Sequence, residues 1–335
     1  MARTGMPRRR TLWAGLSLAL LALSSCAPAI PVASLADART GTVHFATVSP
    51  TSLEFAMGQR PAGTAVISGD LSLPRAGAGR APAVVLIHGS SGVGRNAPVW
   101  VGELTSIGVA AFVVDSFTGR GIGETATDQS RLSSGAMIVD AYRALELLAT
   151  HPGIDADRVA VMGFSKGGFV ALYSSLVRFQ RAWAPAGRQF AAHLPFYPSC
   201  NIQLYEDEQT SRRPIRIFHG AADDWTPIAP CREYVERLRR GGVDAQMIGF
   251  PGAHHGFDVP GQSGVLLSNV QNGSACRLVE RSPGILVHDG SGTPVTRADP
   301  CVRRGATVGY EPRAQRAAIA AVKEFLAATF RLSPR

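Results

Sequence analysis

An α/β fold with a mostly parallel central sheet and helices on both faces is predicted by three features of this 335-residue chain. Short β-rich runs alternate with helix-period stretches over most of its length, and a long amphipathic helix closes it. Its 45% hydrophobic and 18% charged residues suit one large packed core rather than disorder. Strands that alternate with helices pair in parallel and are covered on both faces.

Taken in order, the β-type runs fall at 43–48, 64–71, 83–88 (AVVLIH), 109–115 (VAAFVVD), 158–163 (RVAVMG), 190–195, 214–219 (PIRIFH) and 244–250 (DAQMIGF). Helix-type stretches fall at 97–107, 134–150, 167–179 and 229–240, and the last, 311–330, has apolar residues at the spacing that packs a helix on a sheet. The segment 258–308 is rich in Gly, Ser and Pro and shows no strong periodicity. An excursion of this length inside a compact domain is expected to be functional or pinned. The expected organisation is a leader over 1–25, an Ala/Pro-rich tether over 26–41 and a single catalytic-type domain over 42–335.

The leader reading rests on a basic start with Arg8, Arg9 and Arg10, followed by an apolar stretch too short to span a bilayer. Leu23-Ser24-Ser25-Cys26 resembles a bacterial lipobox, which makes Cys26 the expected lipidation site and an exported, envelope-anchored or periplasmic protein the expected location. Ordinary cleavage after Ala29 and a twin-arginine signal are the competing readings. Removal of the leader takes four arginines and no acid, so the formal charge falls from +9 to +5. No basic run interleaved with aromatics remains, and a nucleic-acid partner is not expected.

Four further cysteines, Cys200, Cys231, Cys276 and Cys301, allow three disulfide pairings in an exported chain. Proximity in sequence favours Cys200–Cys231 and Cys276–Cys301. None of their spacings is that of a zinc site.

The chemistry centres on RVAVMGFSKGGFVALY, 158–173. Gly163-Phe164-Ser165-Lys166-Gly167 lies between a β-type run and a helix-type run, the context of a strained strand-to-helix elbow that projects the Ser165 hydroxyl. A serine hydroxyl needs a base and donors for the oxyanion. An acid and a histidine are therefore expected at the ends of later strands. Gly220-Ala221-Ala222-Asp223-Asp224 follows one such strand, with either aspartate able to orient an imidazole. PGAHHGFDVPG follows the next and offers His254 or His255. The loop His88-Gly89-Ser90-Ser91-Gly92, after an earlier strand, can bring the Ser90 N–H beside that of Lys166 as an oxyanion hole. The Lys166 side chain is expected to point away from the reaction.

The series AVVLIHGSSG, VVDSFTGRG, GFSKGG, GAADDWTP and FPGAHHGF resembles the dienelactone hydrolase family of α/β-hydrolases over roughly residues 60–258 and the last helix. The resemblance implies an α/β-hydrolase fold, hydrolysis of carboxylic esters or lactones, no cofactor or metal, and a small-molecule ester as partner. Within it the acid is Asp223, the histidine is His255 and the oxyanion position is Ser90. Two departures separate this chain from founding members, which carry cysteine at the place of Ser165 and an acidic residue at that of Gly89. An arginine expected after the histidine is also missing, Asp258 and Val259 standing there. Arg120 is the remaining expected contact for an anionic substrate group. A prolyl-oligopeptidase-like peptidase and a non-catalytic binding lipoprotein on the same scaffold are the alternative readings; acyl size and oligomeric state are not set by the sequence.

Overall fold

The computed structural model describes residues 1–2, 5, 30–75, 79–262, 264–296 and 299–333. Apart from residues 1, 2 and 5, the expected leader lies outside the described residues, and so does Cys26. Among the described residues, thirteen strands and seven α-helices follow in chain order: β1 (Gly41–Val48), α1 (Ser52–Met57), β2 (Thr64–Ser72), β3 (Ala81–Ile87), α2 (Asn96–Ser106), β4 (Ala110–Asp115), α3 (Ser134–Leu148) and β5 (Ile154–Phe164). Next come α4 (Lys166–Tyr173), α5 (Val177–Trp183), β6 (His193–Phe196), β7 (Ile202–Gln203), β8 (Ile215–Gly220), α6 (Ile228–Arg240) and β9 (Ala245–Phe250). The chain ends with β10 (Val265–Asn272), β11 (Leu278–Ser282), β12 (Ile285–His288), β13 (Arg303–Val308) and α7 (Pro312–Phe330).

Eight strands form the central sheet in the order β1-β2-β4-β3-β5-β6-β8-β9. The β1–β2 and β2–β4 pairs are antiparallel and the others parallel. Alternation along each strand divides the core in two. Val85 and Ile87 of β3 pack with α3 and α4 on one face, while Val84 and Leu86 pack with Trp100 of α2 and Val322 and Leu326 of α7 on the other. This is the α/β-hydrolase arrangement, in which the carboxyl ends of the parallel strands share one edge.

Two expectations are corrected, and two features are added that the sequence reading lacked. The tether is docked along its described part: the Val32 N–H donates to the His44 carbonyl, and Leu35 is fully buried with its N–H on Thr150 Oγ1. The helix expected over 167–179 is two helices, broken where the Val177 N–H turns to the Gln209 carbonyl. Helix α1 was not expected, although Thr51 and Glu54 form a complete capping box at its start. The excursion 258–308, which shows no strong periodicity in sequence, contains β10 to β13. β10 pairs with β13, and β11 pairs with β12 and with the two-residue β7.

Both disulfides join the cysteines nearest in sequence. Cys200–Cys231 fastens the segment before β7 to α6, and Cys276–Cys301 ties the two halves of the excursion together. Among the described residues no helix is long and apolar enough to cross a membrane.

Candidate active site

Ser165 stands between β5 and α4 with φ 56° and ψ −113°, a conformation an L-residue adopts only under constraint from its surroundings. The flanking glycines provide that constraint by letting backbone approach backbone. A Cβ on Gly163 would lie 1.9 Å from the Gly167 carbonyl oxygen, and one on Gly167 would lie 2.1 Å from that of Ile87. The spacing G-x-S-x-G is therefore a packing requirement of the turn.

The hydroxyl it projects is 2.8 Å from His255 Nε2, on the turn after β9. His255 Nδ1 is 2.8 Å from Asp223 Oδ2, on the turn after β8. His255 and Asp223 are buried, and Ser165 is half-buried. Asp223 Oδ1 accepts from the Trp225 and Thr226 N–H groups, each at 2.9 Å, and Oδ2 accepts from the Thr226 hydroxyl at 3.0 Å. Burial pushes this carboxyl up, but the adjacent His255 imidazole and these donors more than offset it and hold the group below the usual carboxylate range. The imidazole lies between the rings of Tyr197 and Trp225, at centroid distances of 4.7 and 4.9 Å.

The loop after β3 brings Ser90 to the same place. Ser90 and Ser165 line two shared cavities, and a Cβ on Gly89 would lie 3.1 Å from the Phe164 carbonyl and 3.3 Å from Ser165 Cβ. A residue larger than glycine at 89 would thus press on the elbow. His88 is buried, which lowers its basicity, and its neutral ring bridges the loop: Nδ1 donates to the Gly89 carbonyl at 2.7 Å and Nε2 accepts from the Ser116 N–H at 3.1 Å. The Gly89 carbonyl and the Ser90 N–H share one peptide plane. His88 therefore fixes the direction of the Ser90 N–H.

The Lys166 side chain turns away from the serine. Its ammonium donates to the carbonyls of Gln129 (3.1 Å) and Leu132 (2.6 Å) and to Gln129 Oε1 (3.1 Å). Burial lowers its pKa to about 8. The Gln129 side chain also bonds the Ser90 hydroxyl, at 2.9 Å through Nε2, so the oxyanion loop and the elbow share one polar brace.

Arg120 is not at the site. Its guanidinium is buried and pairs bidentately with the buried Asp140 at 2.7 and 2.8 Å, with further bonds to the Ser116 carbonyl and the Ser49 hydroxyl. A planar five-donor group so committed has no free edge for a substrate. Asp258, where an arginine was expected, is fully buried and accepts from Asn96 (2.9 Å), Trp100 (2.8 Å) and the Tyr197 hydroxyl (2.5 Å). Burial raises this carboxyl, which has no cation partner among the described residues; its part is to hold the Tyr197 ring against His255.

The excursion also reaches the site. Asp224, the aspartate not paired with the histidine, accepts from the Thr307 N–H and hydroxyl, each at 2.8 Å, and fastens β13 to the acid turn. Trp225 Nε1 donates to the Gln271 carbonyl at 2.9 Å, and Gln271 Oε1 accepts from the Gln129 N–H at 2.9 Å. Trp225, Thr226, Tyr197, Gln129 and Gln271 were all missed from sequence. Only the Trp-Thr pair directly after the aspartates carried a visible signal. Among the described residues no group of three or more His, Cys, Asp or Glu side chains could hold a metal.

The fold is shared with solved α/β-hydrolase esterases. Thermogutta terrifontis esterase 2 phosphoramylated by tabun matches at TM-score 0.54 and 18% identity, over 80% of this chain and 92% of that one. The propionate-bound form of the Thermogutta terrifontis esterase Est2 matches at TM-score 0.52 and 18% identity, over 80% and 92%. In sequence, the model of the dienelactone hydrolase family matches residues 67–330, which contain every side chain of the hydrogen-bonded Ser-His-Asp set. The chain belongs to the dienelactone hydrolase family of ester-bond hydrolases.

Proposed function

We propose that the protein cleaves carboxylic esters or lactones through an acyl-enzyme on Ser165. The continuous hydrogen-bonded line from Ser165 Oγ through His255 to Asp223, with both links at 2.8 Å, carries this reading. Ser165 Oγ bonds to the acyl carbon as its proton passes to His255 Nε2, and the imidazolium that forms faces the Asp223 carboxylate. The Ser90 and Lys166 N–H groups stabilise the tetrahedral oxyanion. Collapse breaks the bond to the alcohol oxygen, which takes the proton from His255. Water then attacks the acyl carbon while His255 accepts its proton, and that proton returns to Ser165 as the acid leaves.

The catalytic unit in this reading is one domain over 42–335. The two disulfides and the leader pattern support export to an oxidising compartment, with Cys26 as the lipid anchor. Ser165→Ala is expected to lower kcat for p-nitrophenyl esters by several orders of magnitude, with an unchanged circular dichroism spectrum and no fluorophosphonate adduct. Retained turnover in that variant would remove Ser165 from the mechanism.

A further inference from the structure

The space around Ser165 is divided unequally. A cavity of about 880 Å³ and a smaller one of about 300 Å³ both touch Ser165, Ser90 and Trp225. Lys166 and Phe169 line only the larger, whereas His255, Gly256 and Val259 line only the smaller. The serine thus stands at a junction whose two arms differ in size and in which catalytic group they contain.

We infer that the larger cavity receives the acyl part of the substrate and the smaller the alcohol part, so that the substrates are esters of long apolar carboxylic acids with short alcohols. This rests on the acyl-enzyme reading of Ser165. The direction follows from proton transfer. When the tetrahedral intermediate collapses, the departing oxygen must take a proton from His255 Nε2, so the alcohol lies on the His255 side. The acyl group, still bonded to Ser165 Oγ, occupies the other arm.

The walls of the larger arm decide the chemistry of that group. Phe55, Phe169, Leu204, Leu278 and Leu286 present apolar surface to it. The three cations among its lining residues are already engaged: Arg178 pairs with Glu280, Arg131 with Glu124, and Lys166 with carbonyl oxygens. A second carboxylate on the acyl chain would enter this space without a free positive partner, at a large desolvation cost. At its outer end the cavity reaches Leu53, which is 54% exposed and borders a surface depression shared with Met57 and Ile285, 51% and 54% exposed. A chain longer than the cavity therefore continues onto apolar surface rather than into water.

A pair of isomeric esters tests the direction without changing overall hydrophobicity: ethyl decanoate against decyl acetate, each below its aggregation limit, on the wild-type protein. Each methylene moved from water to an apolar wall is worth up to about fourfold in affinity. Ethyl decanoate should therefore be favoured in kcat/KM by about tenfold or more, and in Leu278→Trp, which fills part of the large arm, the ratio should fall toward one. Equal cleavage of the two, or preference for decyl acetate, overturns the cavity assignment. Fluorophosphonate labelling of Ser165 in the same preparation separates the two levels. Labelling with no acyl preference sinks only the assignment of the arms, whereas no labelling and no cleavage sinks the acyl-enzyme reading and the assignment with it.

Discussion

Four of the six parallel strands, β3, β5, β8 and β9, carry Ser90, Ser165, Asp223 and His255 on the turns that follow them, whereas the excursion between Phe257 and Gly309 reaches the same site from outside the sheet. The first region is held by ladder hydrogen bonds and a continuous core on both faces of the sheet. The second is held by short strands, a disulfide and single side-chain clamps such as Asp224 to Thr307 and Trp225 to Gln271. The difference assigns them different work. Groups that must stay within hydrogen-bond reach through the reaction sit on the rigid frame, and the part with fewer constraints supplies only part of the large cavity's wall, Leu278 and Leu286, with Phe55, Phe169 and Leu204 coming from elsewhere in the chain.

The largest expected effect that separates the two regions comes from Asp223→Asn. The amide keeps the shape of the turn but cannot hold the imidazolium, so kcat should fall by about 10⁴-fold, and by the same factor for short-acyl and long-acyl esters. The comparison between frame and excursion would break if the loss depended strongly on acyl length, because Asp223 would then be shaping the cavity as well.

A smaller and qualitatively different effect is expected on the excursion. Cys276 and Cys301 are 25 residues apart, and opening such a loop removes about 3–4 kcal/mol of constraint on the unfolded chain. The double variant Cys276→Ser with Cys301→Ser should be cut by protease first within 258–308, and its preference for ethyl decanoate over decyl acetate should shrink. First cleavage inside the parallel sheet would contradict a separately stabilised excursion.

These regions also differ in how far they could be read from the chain. Every strand of the central sheet was legible: the innermost are near-continuous apolar runs, as AVVLIH is, and the outer β1 and β2 alternate buried with more exposed residues. The elbow was legible because its two glycines answer to specific backbone clashes. β10 to β13 were not, since Val265, Leu266 and Ile285 are exposed and the strands lack the alternation of a half-buried sheet. Their pairing is set by partners far away in sequence: β11 lies against β7, and Gln271 lies against Gln129 and Trp225. Arg120 was misread for a related reason, since nothing near it announces a buried Asp140 twenty residues later.

Lys166 is the first residue of α4, and its ammonium braces the Gln129 loop, whose own N–H bonds Gln271 of β10. It also yields the smallest of these expected effects, a dependence of stability on pH. Burial lowers its pKa from 10.5 in the unfolded chain to about 8 in the folded one. Between those values the unfolded state binds the extra proton, so unfolding becomes harder as pH rises. The penalty for burying the charge is fully present well below pH 8 and is relieved on the way to 10.5. Relative to Lys166→Met, in which other titrations cancel, the wild type should gain about 2 kcal/mol between pH 8 and pH 10, read from urea midpoints at each pH. A difference that stays flat over this window would mean that the carbonyls of Gln129 and Leu132 solvate the ammonium as well as water does. The brace between the elbow and the Gln129 loop would then be a strong polar contact rather than a strained one.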